Sequence, residues 1–173
     1  PAARAQTENP VYLDDSTRAR DALATMPALI ASGNMAEAVR TIQDLLETEG
    51  ERVIETERDP DLFVDVRQRL NDYLIATPEL LGAYREAQEP AARRLLERGD
   101  IAQAERTRWA TRSGLEAALR LAQRDIELAR FEAARIMLEA GVGILPTMPA
   151  PDEADQQEFR TQTQLLGTPW DAT

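Results

Sequence analysis

Gly33-Asn34-Met35-Ala36-Glu37-Ala38 recurs as Gly99-Asp100-Ile101-Ala102-Gln103-Ala104, and more loosely as Ala129-Arg130-Phe131-Glu132-Ala133-Ala134. Each copy reads as a small residue, a polar one, a large apolar one, two variable positions and then alanine. Each also opens an apolar helix. The physics is that of a helical hairpin: a small residue lets the chain turn tightly, a large apolar one plugs the groove between helices, and alanine lets their axes approach. The pattern points to an all-α chain and makes Gly33, Ala38, Gly99, Ala104, Phe131 and Ala134 its candidate structural positions.

Outward from the first copy, Ala19, Leu23, Met26 and Ile30 recur at spacings of three and four, one apolar stripe of a helix. Asp15 or Ser16 can cap that helix, and Gly33-Asn34 closes it. Pro27 predicts a kink, or a break after Met26, because an interior proline removes a hydrogen bond and crowds the preceding turn. A second helix is predicted from Met35 to Thr48, with Ala38, Val39, Ile42, Leu45 and Leu46 inward and Gly50 as its stop. A two-residue connection forces the two helices antiparallel.

The stretch from about 52 to 66 is different. Arg52-Val53-Ile54-Glu55-Thr56 and Leu62-Phe63-Val64-Asp65-Val66 are β-branched and aromatic, and Glu57-Arg58-Asp59-Pro60-Asp61 between them is turn-like. A small two-stranded hairpin is predicted, packed on the helices, since a lone hairpin is marginal in water. Helices follow over Val66–Ala76, from Pro78 with Thr77 as cap, and from Pro90 to Gly99. Further helices run from Ile101 to about Thr111, from a cap at Ser113 through Leu115, Leu119, Leu121 and Ile126, and from Phe131 to Ala140, closed by Gly141-Val142-Gly143.

Charge and composition exclude whole classes of function. Acidic residues outnumber basic ones 31 to 20, a net charge of −11, whereas a protein that tracks phosphates needs an excess of clustered Lys and Arg. Nucleic acid is not the expected partner, and an anionic membrane surface is disfavoured by the same repulsion. Arg93-Arg94, the one basic doublet, reads as solvated surface. With no Cys and no His, disulfides, thiol nucleophiles, Cys/His zinc sites and every His-based triad are ruled out, and no cofactor is expected. No run approaches the ~20 apolar residues of a membrane span.

Three regions emerge: an extended arm over 1–15, a helical domain over 16–145, and a Pro-rich acidic linker or tail over 146–173. Ala3-Arg4-Ala5 before Gln6 has the small-x-small form of an export-signal cleavage site, and equally suits an Ala-rich disordered start. In the tail, Pro146, Pro149 and Pro151 precede Asp152, Glu153 and Asp155, and 155–166 could form one short helix.

The turn pattern resembles the entry to the second helix of tetratricopeptide repeats. The spacings of 66 and 30 residues (33 to 99, 99 to 129) depart from that family's period, so the array is expected to be irregular. The order of elements carries a closer resemblance: the first hairpin, the β-hairpin near Pro60, the helix at 66–76 and Thr77-Pro78-Glu79-Leu80-Leu81-Gly82-Ala83-Tyr84-Arg85-Glu86. Behind these come Ala91-Ala92-Arg93-Arg94-Leu95-Leu96-Glu97 and Phe131-Glu132-Ala133-Ala134-Arg135. Over roughly 16–145 the succession is similar to the amino-terminal helical region of large secreted or periplasmic proteins of planctomycete-type bacteria, in which a β-propeller of the pyrroloquinoline-quinone type follows. The resemblance implies export and a scaffolding role beside a propeller. This chain shows no propeller repeats before Thr173, so no propeller ligand transfers to it.

The expectation is a non-catalytic module for protein–protein or interdomain contact within a larger exported protein, with a protein partner or its own downstream propeller. A stand-alone acidic adaptor is the alternative. A small hydrolase or metal-binding domain using Glu55, Glu57, Asp59 and Asp61 comes behind both, because those carboxylates sit in an exposed turn without the ligand alternation and glycine of a calcium loop. Tyr73, Tyr84 and Trp109 lie on apolar faces as core residues or as the wall of a partner groove. Trp170 lies in a tail with no evident core. Tyr84 and Trp170 are therefore the candidate partner contacts. A scaffold should present an open apolar or mixed surface, and an enzyme a deep pocket with convergent polar groups.

Overall fold

The computed structural model describes residues 14–56 and 62–147, together with Gln157 and Thr161. Among them the chain is all-α with one small β-hairpin: α1 (Thr17–Ala31), α2 (Met35–Thr48), β1 (Val53–Glu55), β2 (Phe63–Asp65), α3 (Val66–Ala76), α4 (Pro78–Glu97), α5 (Ile101–Arg108), α6 (Arg112–Glu127) and α7 (Phe131–Ile144), then a 3-10 turn at Leu145–Thr147. The expected elements over 35–48 and 66–76 appear with the bounds read from the sequence. β1 and β2 pair antiparallel with Ile54 opposite Val64.

One turn geometry is used three times. After α1, Gly33 takes φ +76°, and its amide and that of Asn34 donate back to Ile30 and Leu29. After α4, Gly99 takes φ +83°, with the amides of Gly99 and Asp100 donating to Leu96 and Leu95. After α6 the same pair of bonds runs from Ala129 and Arg130 to Ile126 and Asp125, and here Ala129 takes φ +57°. This is the left-handed helix ending in which crossed bonds satisfy the last free carbonyls. In all three turns the next carbonyl, of Asn34, Asp100 or Arg130, then accepts from Ala38, Ala104 or Ala134, the alanine of the recurring pattern. Each of those alanines is fully buried where its helix meets a neighbour. α1 packs on α2, α4 on α5, and α6 on α7.

The large apolar position behaves unevenly. Met35 and Ile101 are half-buried and pack against core residues, but Phe131 is 56% exposed. Expected as a plug, Phe131 instead stands at the end of the array, where no further helix among the described residues covers it.

Several helix boundaries differ from those expected. Helix α1 runs unbroken through Pro27, and α4 through Pro90, where a new helix was expected. Both prolines are on exposed faces, so the carbonyls deprived of a partner can turn to water. Helix α6 is capped by Thr111, not Ser113: Thr111 Oγ1 accepts from the Gly114 amide at 3.0 Å and donates to the Arg108 carbonyl at 2.7 Å. Ser113 lies inside the helix, and α5 stops at Arg108. Helix α7 continues through Gly141 to Ile144 instead of closing there, because Gly141 and Ile144 are buried against the core.

Ser16 resolves the choice of first cap and does more. Its Oγ accepts from the Ala19 amide at 3.0 Å and donates to Glu49 Oε2 at 2.9 Å, while its amide donates to the Val53 carbonyl at 2.9 Å. Arg52 Nη1 reaches the same Glu49 oxygen at 2.9 Å. The start of α1, the end of α2 and the β-hairpin thus meet at one buried hydroxyl. The main core then spreads along the array, from Met26 through Ile42, Leu45, Leu70, Leu74 and Leu80 to Leu138 and Ile144. A smaller cluster of Leu95, Leu96, Ala104 and Ala117 lies between α4, α5 and α6.

The turns make a stability test with opposite signs. Ala129→Gly is expected to raise unfolding stability by about 1 kcal/mol, since it relieves a left-handed alanine, and Gly99→Ala to lower it by a similar amount. Gly114→Ala should cost about 3 kcal/mol, because its Cβ would stand 1.9 Å from the Arg108 carbonyl oxygen. Urea denaturation of the three variants checks both signs and their order.

Candidate interaction surface

Helix α4 organises the surface as well as the core. Thr77 and Pro78 start it as expected, with proline at a first-turn position where its missing amide costs nothing. Its inward face carries Leu80, Leu81 and Tyr84, and its flank carries Arg85 and Glu89. Tyr84 is fully buried, its hydroxyl 2.8 Å from Gln43 Oε1 on α2 and 3.1 Å from the Thr107 carbonyl on α5. Burial holds the phenol's pKa above the ordinary 10.0, with Arg108 opposing and Glu47 adding. Tyr84 therefore offers no surface to a partner, and its reading as a contact residue is overturned. Trp170, the other candidate contact, lies outside the described residues.

Arg85 and Glu89 carry no signal in the apolar pattern, yet they pin the junction between α5 and α6. Arg85 Nε donates to the Ala110 carbonyl at 2.8 Å, and its Nη2 to Thr147 Oγ1 at 2.8 Å. A further bond runs from Arg85 Nη1 to the Thr147 carbonyl. Burial pushes the Arg85 pKa down. Glu89 accepts from the Ser113 hydroxyl at 2.6 Å and from its amide at 3.2 Å. The adjacency of Tyr84 and Arg85, one residue facing the core and the next facing its flank, was the available clue.

Three open clefts lie among the described residues. The first, about 490 Å³, is bounded by the end of α2, the start of α3 and α5, and is lined by Glu47, Glu51, Arg52, Arg67, Gln103 and Arg106 among others. Several of its charges are paired: Arg106 meets Glu51 at 3.1 Å, Arg52 meets Asp14 at 3.3 Å, and Arg108 beside it meets Glu47 at 2.8 Å. Glu105 is pushed above the usual carboxylate pKa by burial, against the pull of Arg67 and Arg106. The second cleft, between α4 and α6, is also about 490 Å³ and carries Arg93, Glu97, Glu116 and Arg120. The third, between the end of α3 and α4, has a mostly apolar wall.

Of the carboxylates grouped around the hairpin turn, Glu55 is exposed and pairs with Arg20 at 3.7 Å. Glu57, Asp59 and Asp61 lie outside the described residues. Among the described residues, no group of three or more acidic side chains is placed to hold a metal ion, and no helix is long and apolar enough to cross a membrane. The remaining surface feature is apolar. Leu128, Phe131 and Ile136 are 51%, 56% and 58% exposed, the first two bracketing the third turn and the last further along α7, about 140° around the helix from Phe131. What such a surface can do is bind, through apolar contact set among engaged charges.

Tyr84→Phe removes the one hydroxyl proton within reach of both the Gln43 and the Thr107 oxygen and should cost about 1 to 2 kcal/mol. The pH dependence has a definite sign. The folded protein holds the Tyr84 proton where the unfolded chain would lose it, so this contribution is intact below about pH 10 and is lost as pH rises beyond it. Urea midpoints measured across that range should fall more steeply for the parent chain than for the phenylalanine variant. No family model matches the chain, and no curated protein or solved structure matches it, so its functional reading rests on this surface.

Proposed function

We propose that the chain is a non-catalytic helical-repeat scaffold, a protein–protein or interdomain contact module of a larger exported protein. The observation that carries this reading is the exposure of large apolar residues in the last hairpin, where Leu128, Phe131 and Ile136 each leave more than half of their surface in water. Stacked helical hairpins bury one face of each unit on the next, and the last unit needs either a polar outer face or a partner. Here α7 keeps large apolar residues outward.

Further support comes from the left-handed turn used three times and from its likeness to tetratricopeptide turns. Ala3-Arg4-Ala5 and the order of elements support export and a propeller placed downstream. The clefts add to the binding reading, because several of their acidic groups, Glu47, Glu51 and Glu116 among them, are engaged by arginine.

Hydrogen–deuterium exchange on this chain alone and within the full product of its gene tests the proposal. Amides around the third turn and along α7 should be protected in the full product. Phe131→Asp with Ile136→Asp should abolish that protection while leaving the far-ultraviolet circular dichroism of the isolated chain unchanged. Equal exchange in both samples overturns the interdomain role. A gene product ending at Thr173 overturns it in favour of a stand-alone acidic adaptor.

A further inference from the structure

Among the described residues, the two-stranded sheet is covered along one edge and open along the other. The Thr56 amide donates to the Leu62 carbonyl and the Val66 amide to the Arg52 carbonyl, both at 2.9 Å. With Ile54 opposite Val64, these bonds set the even-numbered residues of β1 and β2 facing each other across the ladder. The odd-numbered ones turn their amides and carbonyls outward. On the β1 side those groups are taken: the Val53 amide donates to the Asp14 carbonyl at 3.1 Å, and its carbonyl accepts from the Ser16 amide at 2.9 Å. The segment entering α1 thus lies along β1 as a short parallel bridge. On the β2 side the outward groups are the amide and carbonyl of Phe63 and the amide of Asp65. No described residue bonds to any of the three. The Asp65 carbonyl is used by the first turn of α3, which Asp65 caps.

A strand edge recruits another strand unless a lysine, a proline or a bulge obstructs it, and β2 has none of these in its unbroken register with β1. The pleat adds a side-chain preference. Ile54 is buried and Val64 packs on the core, which sets Phe63 and Asp65 on the opposite face, Phe63 across from exposed Glu55. Phe63 is half-buried and belongs to neither core cluster, and Leu62 beside it is 54% exposed. We propose that the free edge of β2 is a strand-addition site for an extended, basic segment of a partner protein. The segment pairs antiparallel, because Phe63 presents both a donor and an acceptor to one opposing residue. An apolar side chain of the partner lies beside Phe63 and a lysine or arginine beside Asp65. Main-chain bonds supply the affinity, and the basic side chain suits an edge with Asp65 and Glu55 on a chain of net charge −11. This surface is separate from α7 and does not rest on the interdomain reading.

The test is a titration of the isotope-labelled chain with the capped peptide Lys-Thr-Val-Thr-Lys at millimolar concentration, followed by nuclear magnetic resonance. The amide resonances of Phe63 and Asp65 should shift, and those of α7 should stay in place. Methylating the valine nitrogen removes the donor to the Phe63 carbonyl and should weaken binding on the order of tenfold. Exchanging both lysines for glutamate should weaken it on the order of fivefold. No shift at Phe63 and Asp65, or undiminished binding of the methylated peptide, overturns the proposal. Equal binding of the glutamate peptide overturns its basic partner. A shift of the same two amides with protein concentration alone also overturns it, by assigning the edge to a second copy. Because α7 plays no part in the measurement, failure here leaves the interdomain reading to its own test.

Discussion

The hydroxyl of Tyr84 is the point on which the arrangement of helices depends. It sits with no exposed surface between Gln43 of the first hairpin and the Thr107 carbonyl of the second, so one group sets the distance between two hairpins that share no turn. A buried phenol without these acceptors would carry a desolvation cost of about 1 to 3 kcal/mol, which makes any sliding of α4 over α2 expensive. Apolar contacts alone are tolerant of such sliding. The hydrogen bonds make one register preferable to its neighbours.

Around that point the polar ties follow a common logic. Arg85, Glu89, Ser16 and Glu49 each join elements far apart in the chain at places where backbone groups would otherwise be left without partners. Arg85 satisfies the Ala110 carbonyl at the end of α5, Glu89 the Ser113 amide in the first turn of α6, and Ser16 the Ala19 amide in the first turn of α1. The exposed ion pairs, such as Arg120 with Glu116 or Arg135 with Glu139, are of another kind. They run along single helices in water, where solvent screens them, and contribute little to stability. An acidic chain with so many arginines thus spends most of them on solubility and a few on architecture.

The surface divides in a way that follows from chain order. The first hairpin is backed by the β-hairpin and by α3, and the second is enclosed between the first and third. Among the described residues the third has a neighbour on one side only, and Phe131 and Ile136 are exposed. The same asymmetry explains why a residue that matches the recurring pattern does not perform the same task in each copy. Met35 and Ile101 enter grooves because a neighbouring hairpin supplies the other wall, whereas Phe131 has none.

By itself the sequence determined the local structure. Spacings of three and four, caps and glycines are properties of short segments, and they sufficed for the bounds of α2 and α3, the β-hairpin, the turns at Gly33 and Gly99, and the buried faces of α2 and α4. Proline misled where position on the helix face mattered, as at Pro90, because a proline's cost depends on whether its orphaned carbonyl meets water or protein. Only the tertiary structure decided that Tyr84 is interior, that Thr111 and not Ser113 caps α6, that α7 continues through its glycines, and that Phe131 is left outside. The Thr111 cap rests on neighbours three residues away, but the other outcomes turn on which distant residue stands opposite, and that is set by how the hairpins stack. A pattern read along one helix contains the face that will be buried, but not the partner that buries it.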